Sequence, residues 1–108
     1  MNEFVIVLTT LPVDKDADAF AQTLVEERLA ACVNVLPAMR SIYTWNGVVE
    51  RADERQIVIK TTAERVQALE ARVKALHPYE VPEFLVLPIA AGSTDYLSWV
   101  ANSVAPPV

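Results

Sequence analysis

The chain has 108 residues, a net charge of −5 and 53% apolar residues, so we expect one domain, residues 1–108, with a real hydrophobic core. Its basic residues are few and scattered, which argues against a nucleic-acid-binding protein that depends on phosphate contacts. A single cysteine, Cys32, excludes an intramolecular disulfide and is typical of a reducing compartment. No apolar run approaches a membrane span, and residues 1–10 lack a secretory-signal pattern, so we expect a cytoplasmic protein without a membrane partner.

The first part of the chain predicts a strand followed by a helix. Residues 4–10 are almost continuously apolar, as in a central strand, and Pro12 ends this run. Asp14 and Asp16 lie where acidic residues favour a helix N-terminus, and we expect the helix to continue to about Ala31. Its buried stripe is predicted to contain Ala17, Phe20, Ala21, Leu24, Val25 and Leu29.

Residues 32–62 are predicted to form a long β-hairpin around which the rest of the chain is organised. Asn46-Gly47 is a strong signal for a two-residue turn, because both turn positions need positive φ. Pro37 has no N–H group, so we expect it at a bulge or on an edge. The turn predicts three facing pairs: Trp45 with Val48, Tyr43 with Glu50, and Arg40 with Asp53.

The length of this hairpin suggests self-association. Each arm would extend roughly 40 Å at ~3.3 Å per residue, which exceeds a domain radius of ~13 Å. A bare two-stranded ribbon is marginally stable in water, so its tip is expected to lean on another copy of the chain. A shorter hairpin with a curled, mobile tip is the alternative.

The second half of the chain predicts a helix, a strand and a final helix. Thr61 and Glu64 have capping-box spacing, and an amphipathic helix follows to about His77. After the stiff segment 77–83, an apolar strand is predicted from residue 84 to residue 89, and Gly92-Ser93-Thr94 is typical of a turn and helix N-cap. The order β-α-β-β-α-β plus a C-terminal helix indicates an α+β, ferredoxin-like sheet with helices on one face. Its open face should meet another subunit.

Four sequence blocks resemble the CutA divalent-cation tolerance proteins. In chain order they are RLAACVNVLP (28–37), SIYTWNG (41–47), HPYEVPE (77–83) and YLSW (96–99). The resemblance covers essentially the whole chain. It implies a ferredoxin-like fold similar to PII signalling proteins, and a homotrimer in which long hairpins complete neighbouring sheets. It also implies a link to tolerance of copper and other divalent metals.

His77 is the candidate metal ligand. It is the only histidine, and neutral imidazole is a common ligand for copper and zinc. Alternatively, it caps the end of the second helix. The resemblance implies a copper site built from a first-strand cysteine and two adjacent histidines, and the corresponding positions here are Thr9, Leu76 and His77, so only His77 carries over. The expected ion is Cu(II) or another divalent cation.

The remaining candidates are aromatic and charged residues expected at an interface or in an inter-subunit cleft for a metal or small anion. Cys32 is predicted to pack as a small, buried apolar side chain, and a reactive or metal-binding thiol is the alternative. Carboxylates along the second hairpin arm, among them Glu54, alternate with arginines, as on a solvated, salt-bridged strand face. The cleft or interface set is Cys32, Tyr43, Trp45, Glu50, Lys60, Tyr79, Glu83, Tyr96 and Trp99, with Glu80 as a further carboxylate.

No P-loop, EF-hand, G-x-G-x-x-G or Ser/His/Asp pattern is present in the sequence. We therefore expect a non-enzymatic homotrimer that binds a divalent metal or a small ligand. A structural or signalling trimer with an indirect metal role and an unidentified protein partner is the alternative. A third interpretation is an enzyme with His77 as acid/base and Lys60 as anion holder. An RNA-binding sheet is disfavoured by the charge and by the lack of stacking aromatics on the second arm.

Overall fold

The computed structural model describes residues 3–106, and the predicted order of strands and helices is confirmed. One 3₁₀ turn (Ala63–Arg65) leads into the second helix. The strands and helices are β1 (Phe4–Pro12), α1 (Ala17–Glu26), β2 (Cys32–Trp45), β3 (Val48–Thr62), α2 (Val66–Leu76), β4 (Leu85–Pro88) and α3 (Thr94–Val104).

The four strands form one antiparallel sheet in the order β2-β3-β1-β4. β1 lies between β3 and the short edge strand β4, which agrees with its continuous apolar sequence. Two β-α-β crossovers joined by a central hairpin produce this order. The predicted α+β, ferredoxin-like fold is therefore confirmed.

β2 and β3 form the long hairpin, and its predicted register is confirmed. Asn46 has φ 50° and Gly47 has φ 79°, as a type I′ turn requires. The register shifts between Val35 and Ala38, so the bulge contains Pro37, which has no N–H for the ladder. The observed pairs include Trp45 with Val48, Tyr43 with Glu50, and Arg40 with Asp53.

One face of the sheet carries the main core. Val5, Val7 and Leu11 of β1 are buried, and Ile57 and Ile59 of β3 belong to the same cluster. This spacing of two residues is the period of a strand that buries one face. The helices α1 and α2 cover this face with Phe20, Leu24, Leu69 and Val73.

The opposite side of the sheet, the second face, remains partly open. Ile6 and Leu8 of β1 lie on it, level with Leu87 and Leu85 of β4. Leu85 is 53% exposed and Leu87 is 43% exposed. Contiguous exposed apolar patches of this kind are typical of interaction surfaces.

Helix α3 covers one end of the second face. Ser93 caps it by accepting a hydrogen bond from the Tyr96 backbone N–H at 3.2 Å, as predicted. Val100 and Val104 are buried and cluster with Ala31, and the partly buried Phe4 packs against them. The chain therefore has a second, smaller core on this side of the sheet.

Helix α1 ends earlier than the predicted end near Ala31. Arg28 has φ 59°, and its N–H donates to the Val25 carbonyl at 3.0 Å. The N–H of Leu29 donates to the Leu24 carbonyl at 3.0 Å, so the pair of bonds forms a Schellman motif. The prediction that Val25 is buried is also wrong, since it is 42% exposed.

The capping box predicted at Thr61 and Glu64 is wrong. Thr62 precedes the 3₁₀ turn and makes no side-chain cap. Thr61 is fully buried, and its hydroxyl donates to the Leu29 carbonyl at 2.8 Å. Because Thr61 is in phase with Ile59, it points into the core, where its hydroxyl needs an internal acceptor.

Candidate ligand cavity

A cavity of about 660 Å³ lies between the hairpin and residues 77–83, the connector that follows α2. Its floor includes Thr10 of β1 and Gln56 of β3, which lie opposite each other in the sheet. Both side chains are on the second face, the same side as Leu8. Small-molecule sites have volumes of roughly 300–1,000 Å³ and are largely apolar, with a few placed polar groups. The lining consists of Thr10, Met39, Ser41, Ile42, Tyr43, Trp45, Glu54, Gln56, Pro78, Tyr79, Glu80, Val81 and Glu83.

Glu54 is the buried carboxylate of this cavity. It is 5% exposed, and its Oε2 accepts a hydrogen bond from the Tyr79 hydroxyl at 3.0 Å. Within residues 3–106 it forms no salt bridge. Burying a carboxylate without a cation costs free energy. The arrangement therefore favours a positively charged group beside Glu54.

The prediction that Glu54 belongs to a solvated strand face is wrong. Its neighbour Asp53 does point outward and pairs with Arg40 at 3.7 Å, with both side chains about two-thirds exposed at 66% and 67%. Strand residues alternate between faces, so Glu54 turns to the second face, where the connector covers it. The exposed Arg40–Asp53 pair supports the register but contributes little stability.

Tyr79 holds Glu54 from the connector side. Its partial burial, its hydrogen bond to Glu54 and the negative charge of Glu54 raise the pKa of Tyr79 to about 12. Its hydroxyl is therefore protonated at neutral pH and available as a donor. A protonated phenol donates to a carboxylate, so the bond fixes the rotamers of both side chains.

Gln56 joins the connector to the sheet. Its Nε2 donates to the Thr9 carbonyl at 2.8 Å and to Glu83 Oε2 at 2.9 Å. The second carboxylate of the cavity is thus held by a neutral amide. A neutral donor orients Glu83 without cancelling its charge.

His77 anchors the start of the connector. It is 8% exposed, and its Nε2 lies 2.6 Å from the Thr10 carbonyl. The backbone N–H of Tyr79 donates to Nδ1 at 3.1 Å, so Nδ1 carries no proton and Nε2–H is the donor to Thr10. Its ring contacts the Tyr79 ring at a centroid distance of 4.9 Å. Both ring nitrogens are engaged in positioning the connector.

The donor set implied for copper does not fit that ion. Leu76 offers no donor, and Thr9 offers a buried hydroxyl that has no hydrogen-bond partner within residues 3–106. A metal on His77 would displace one of the two bonds of its ring. Among residues 3–106, no group of three or more His, Cys, Asp or Glu side chains is arranged to hold a metal ion. The assignment of His77 as a metal ligand stays a prediction.

Four of the residues predicted for the cleft meet in this cavity: Tyr43, Trp45, Tyr79 and Glu83. Glu80, a carboxylate that the sequence also suggests, lies with them. Sequence reasoning missed Gln56 and the role of Glu54. The available signal was the strand alternation, which places Glu54 and Gln56 on one face.

The other predicted residues lie outside the lining of this cavity. Tyr96 and Trp99 of α3 contact each other, with ring centroids 5.5 Å apart and ring planes tilted by 38°. Cys32 is half-buried and faces Lys60 across the hairpin on the second face, while Glu50 is exposed beside Tyr43. The place of these residues at an interface or in an inter-subunit cleft stays a prediction.

Residues 5–103 match the family described as CutA1 divalent ion tolerance protein. The chain belongs to this CutA1 family. A relative named Divalent-cation tolerance protein CutA from Thermus thermophilus is 50% identical over 98 residues, covering 91% of this chain and 95% of that protein.

Solved structures of CutA1 proteins share the fold of this chain. CutA1 from Oryza sativa is 38% identical, with a TM-score of 0.92 and coverage of 97% of this chain and 96% of that chain. A periplasmic divalent cation tolerance protein CutA from Archaeoglobus fulgidus is 33% identical, with a TM-score of 0.88 and coverage of 97% and 100%. In the part of the chain that the structure describes, no helix is long and apolar enough to cross a membrane.

Proposed function

We propose that this protein is a cytoplasmic homotrimer that contributes to divalent-cation tolerance by binding a cation or small ligand in the cavity, without catalysing a reaction. The cavity, with its buried Glu54, which forms no salt bridge within residues 3–106, is the observation that carries the proposal. Membership of the CutA1 family supports the link to divalent cations.

The exposed hairpin tip, residues 42–49, supports the oligomer. Ile42 is 60% exposed and Val49 is 63% exposed, although both are apolar residues of a well-formed strand pair. The hairpin extends the molecule to 46 Å along its longest axis. An apolar tip and a partly open second face are complementary surfaces for neighbouring copies of the chain.

Light scattering after gel filtration tests the assembly. We expect a mass three times the 11.9 kDa of one chain. Val49→Lys should lower that mass, because the charge would lie in the proposed interface. Val25→Lys, on the exposed side of α1, is the matched control and should leave it unchanged. A monomeric wild type at micromolar concentration would refute the trimer.

Equilibrium dialysis against Cu(II), Zn(II) and Mn(II) tests the link to cations, with Glu54→Gln as the cavity variant. Retention of one ion per chain that is lost in the variant supports direct binding. Separation of cell fractions with an antibody against the protein tests the compartment, and a periplasmic signal would overturn the cytoplasmic assignment.

A second candidate is an interaction trimer whose role in metal tolerance is indirect. It is favoured by the lack, among residues 3–106, of a group of three side chains that could hold a metal. Under this function no divalent ion is retained in dialysis, and the exposed α3 side chains Tyr96 and Trp99 are candidates for the surface that meets a protein partner.

A further inference from the structure

The lining of the cavity carries negative charge with no basic side chain to balance it. Glu54, Glu80 and Glu83 supply three carboxylates, and the lining contains no lysine, arginine or histidine. The hydrogen bonds to Glu54 and Glu83 come from a phenol and an amide, which are neutral groups. Glu54 is 5% exposed, and among residues 3–106 only its Oε2 accepts a hydrogen bond, which leaves Oε1 available. A cation with N–H donors would satisfy that oxygen.

The rest of the lining is suited to a carbon skeleton rather than to a bare ion. Tyr43, Trp45 and Tyr79 contribute aromatic rings, and the faces of such rings attract ammonium and guanidinium groups. Ile42 and Val81 add apolar surface. A volume of about 660 Å³ also exceeds what one hydrated metal ion needs.

We infer that the cavity binds a small organic cation, an aliphatic amine or guanidine, whose N–H groups bond to Glu54. The aromatic rings would hold its charged end and its methylene chain, and Glu80 or Glu83 would meet a second positive group. This inference rests on the proposal that the cavity is the ligand site, and it names the class of ligand. Hard divalent ions such as Ca²⁺ and Mg²⁺ are coordinated by several oxygen ligands at once. The described side chains provide no group of three or more His, Cys, Asp or Glu arranged to hold such an ion.

Titration with agmatine tests this inference, because agmatine carries a guanidinium and an ammonium on a short methylene chain. Pentane-1,5-diol is the neutral control of similar length. Binding is followed by calorimetry on the full-length assembly and by the fluorescence of Trp45 in a Trp99→Phe background. Trp45 lines the cavity and Trp99 does not, so the signal reports the site itself.

Charge-removing variants locate the site. Glu54→Gln keeps an acceptor for the Tyr79 hydroxyl but removes the charge, so agmatine affinity should fall about ten- to a hundredfold. Glu83→Gln should weaken binding in the same direction, and it provides an independent test should Glu54→Gln fail to fold by circular dichroism. Glu64→Gln is the matched control, because Glu64 is an exposed carboxylate outside the lining.

Saturable binding of agmatine at one per chain, with no binding of the diol and a loss in both cavity variants, supports the inference. Equal affinity for the diol, or equal affinity in Glu54→Gln, overturns it. Absence of any saturable signal also overturns it, including the case in which a basic side chain of a neighbouring copy already fills the cavity. If agmatine fails but dialysis shows retained divalent ions that need Glu54, the proposed function stands and only the ligand class is wrong.

Discussion

Removing the hydroxyl of Tyr79 should destabilise the protein far more than removing that of another tyrosine. In Tyr79→Phe the ring and its packing remain, so the change is confined to the 3.0 Å hydrogen bond to Glu54. A hydrogen bond to a charged group contributes ~1.5–3 kcal/mol. Because the cavity is open enough for water to replace the donor, we expect the lower value, about 1.5 kcal/mol.

Urea unfolding at one fixed protein concentration measures this loss, since the midpoint of an oligomer depends on concentration. Tyr96→Phe is the matched control. Its residue is exposed, and its hydroxyl makes no hydrogen bond among the described residues, so its effect should stay within about 0.5 kcal/mol. Equal stability of Tyr79→Phe and Tyr96→Phe would refute the reasoning that Tyr79 stabilises the buried carboxylate.

Three further predictions follow from local geometry. At Arg28, which has φ 59°, Arg28→Gly should be more stable to urea than Arg28→Ala by about 1 kcal/mol, whereas an equal or opposite ranking would contradict a left-handed position. His77→Ala should lower the free energy of unfolding by about 2 kcal/mol, because two hydrogen bonds are lost; an unchanged value would contradict the anchoring role. Since the pKa of Tyr79 is raised to about 12, one phenol should ionise near pH 12 when ultraviolet absorbance is followed against pH. The contribution of this protonated phenol to the free energy of unfolding should be full below pH ~10 and lost as pH rises toward 12. That ionisation step should be missing in Tyr79→Phe.

The hairpin is the part of the fold that local sequence predicts best. Asn46 and Gly47 admit few backbone conformations, and once the turn is known the pairing of every residue toward Arg40 and Asp53 follows. Pro37 marks the bulge for the same reason, since it has no N–H to pair. These are local steric rules, so they need no knowledge of the rest of the chain.

The failed predictions involve competition between local and tertiary effects. Arg28 adopts a left-handed conformation that a sequence pattern assigns to glycine or asparagine. Thr61 has the spacing of a helix cap, but its side chain faces the core and bonds Leu29 instead. Glu54 has the sequence of a solvated strand, yet the connector, more than 20 residues later in the chain, covers it. The cavity could not be derived, because its two walls come from distant segments.

The stability of Glu54→Gln distinguishes a carboxylate that stabilises the fold from one that serves ligand binding. If the carboxylate served stability alone, replacing it by a neutral amide of the same shape should destabilise the protein. If it serves a cation, Glu54→Gln should remove the cost of an unpaired buried charge while an amide oxygen still accepts from Tyr79. We then expect a free energy of unfolding that is unchanged or higher by about 1 kcal/mol without ligand, together with lost agmatine affinity. A clear loss of stability in urea, with ligand binding intact, would assign Glu54 to the fold and not to the site.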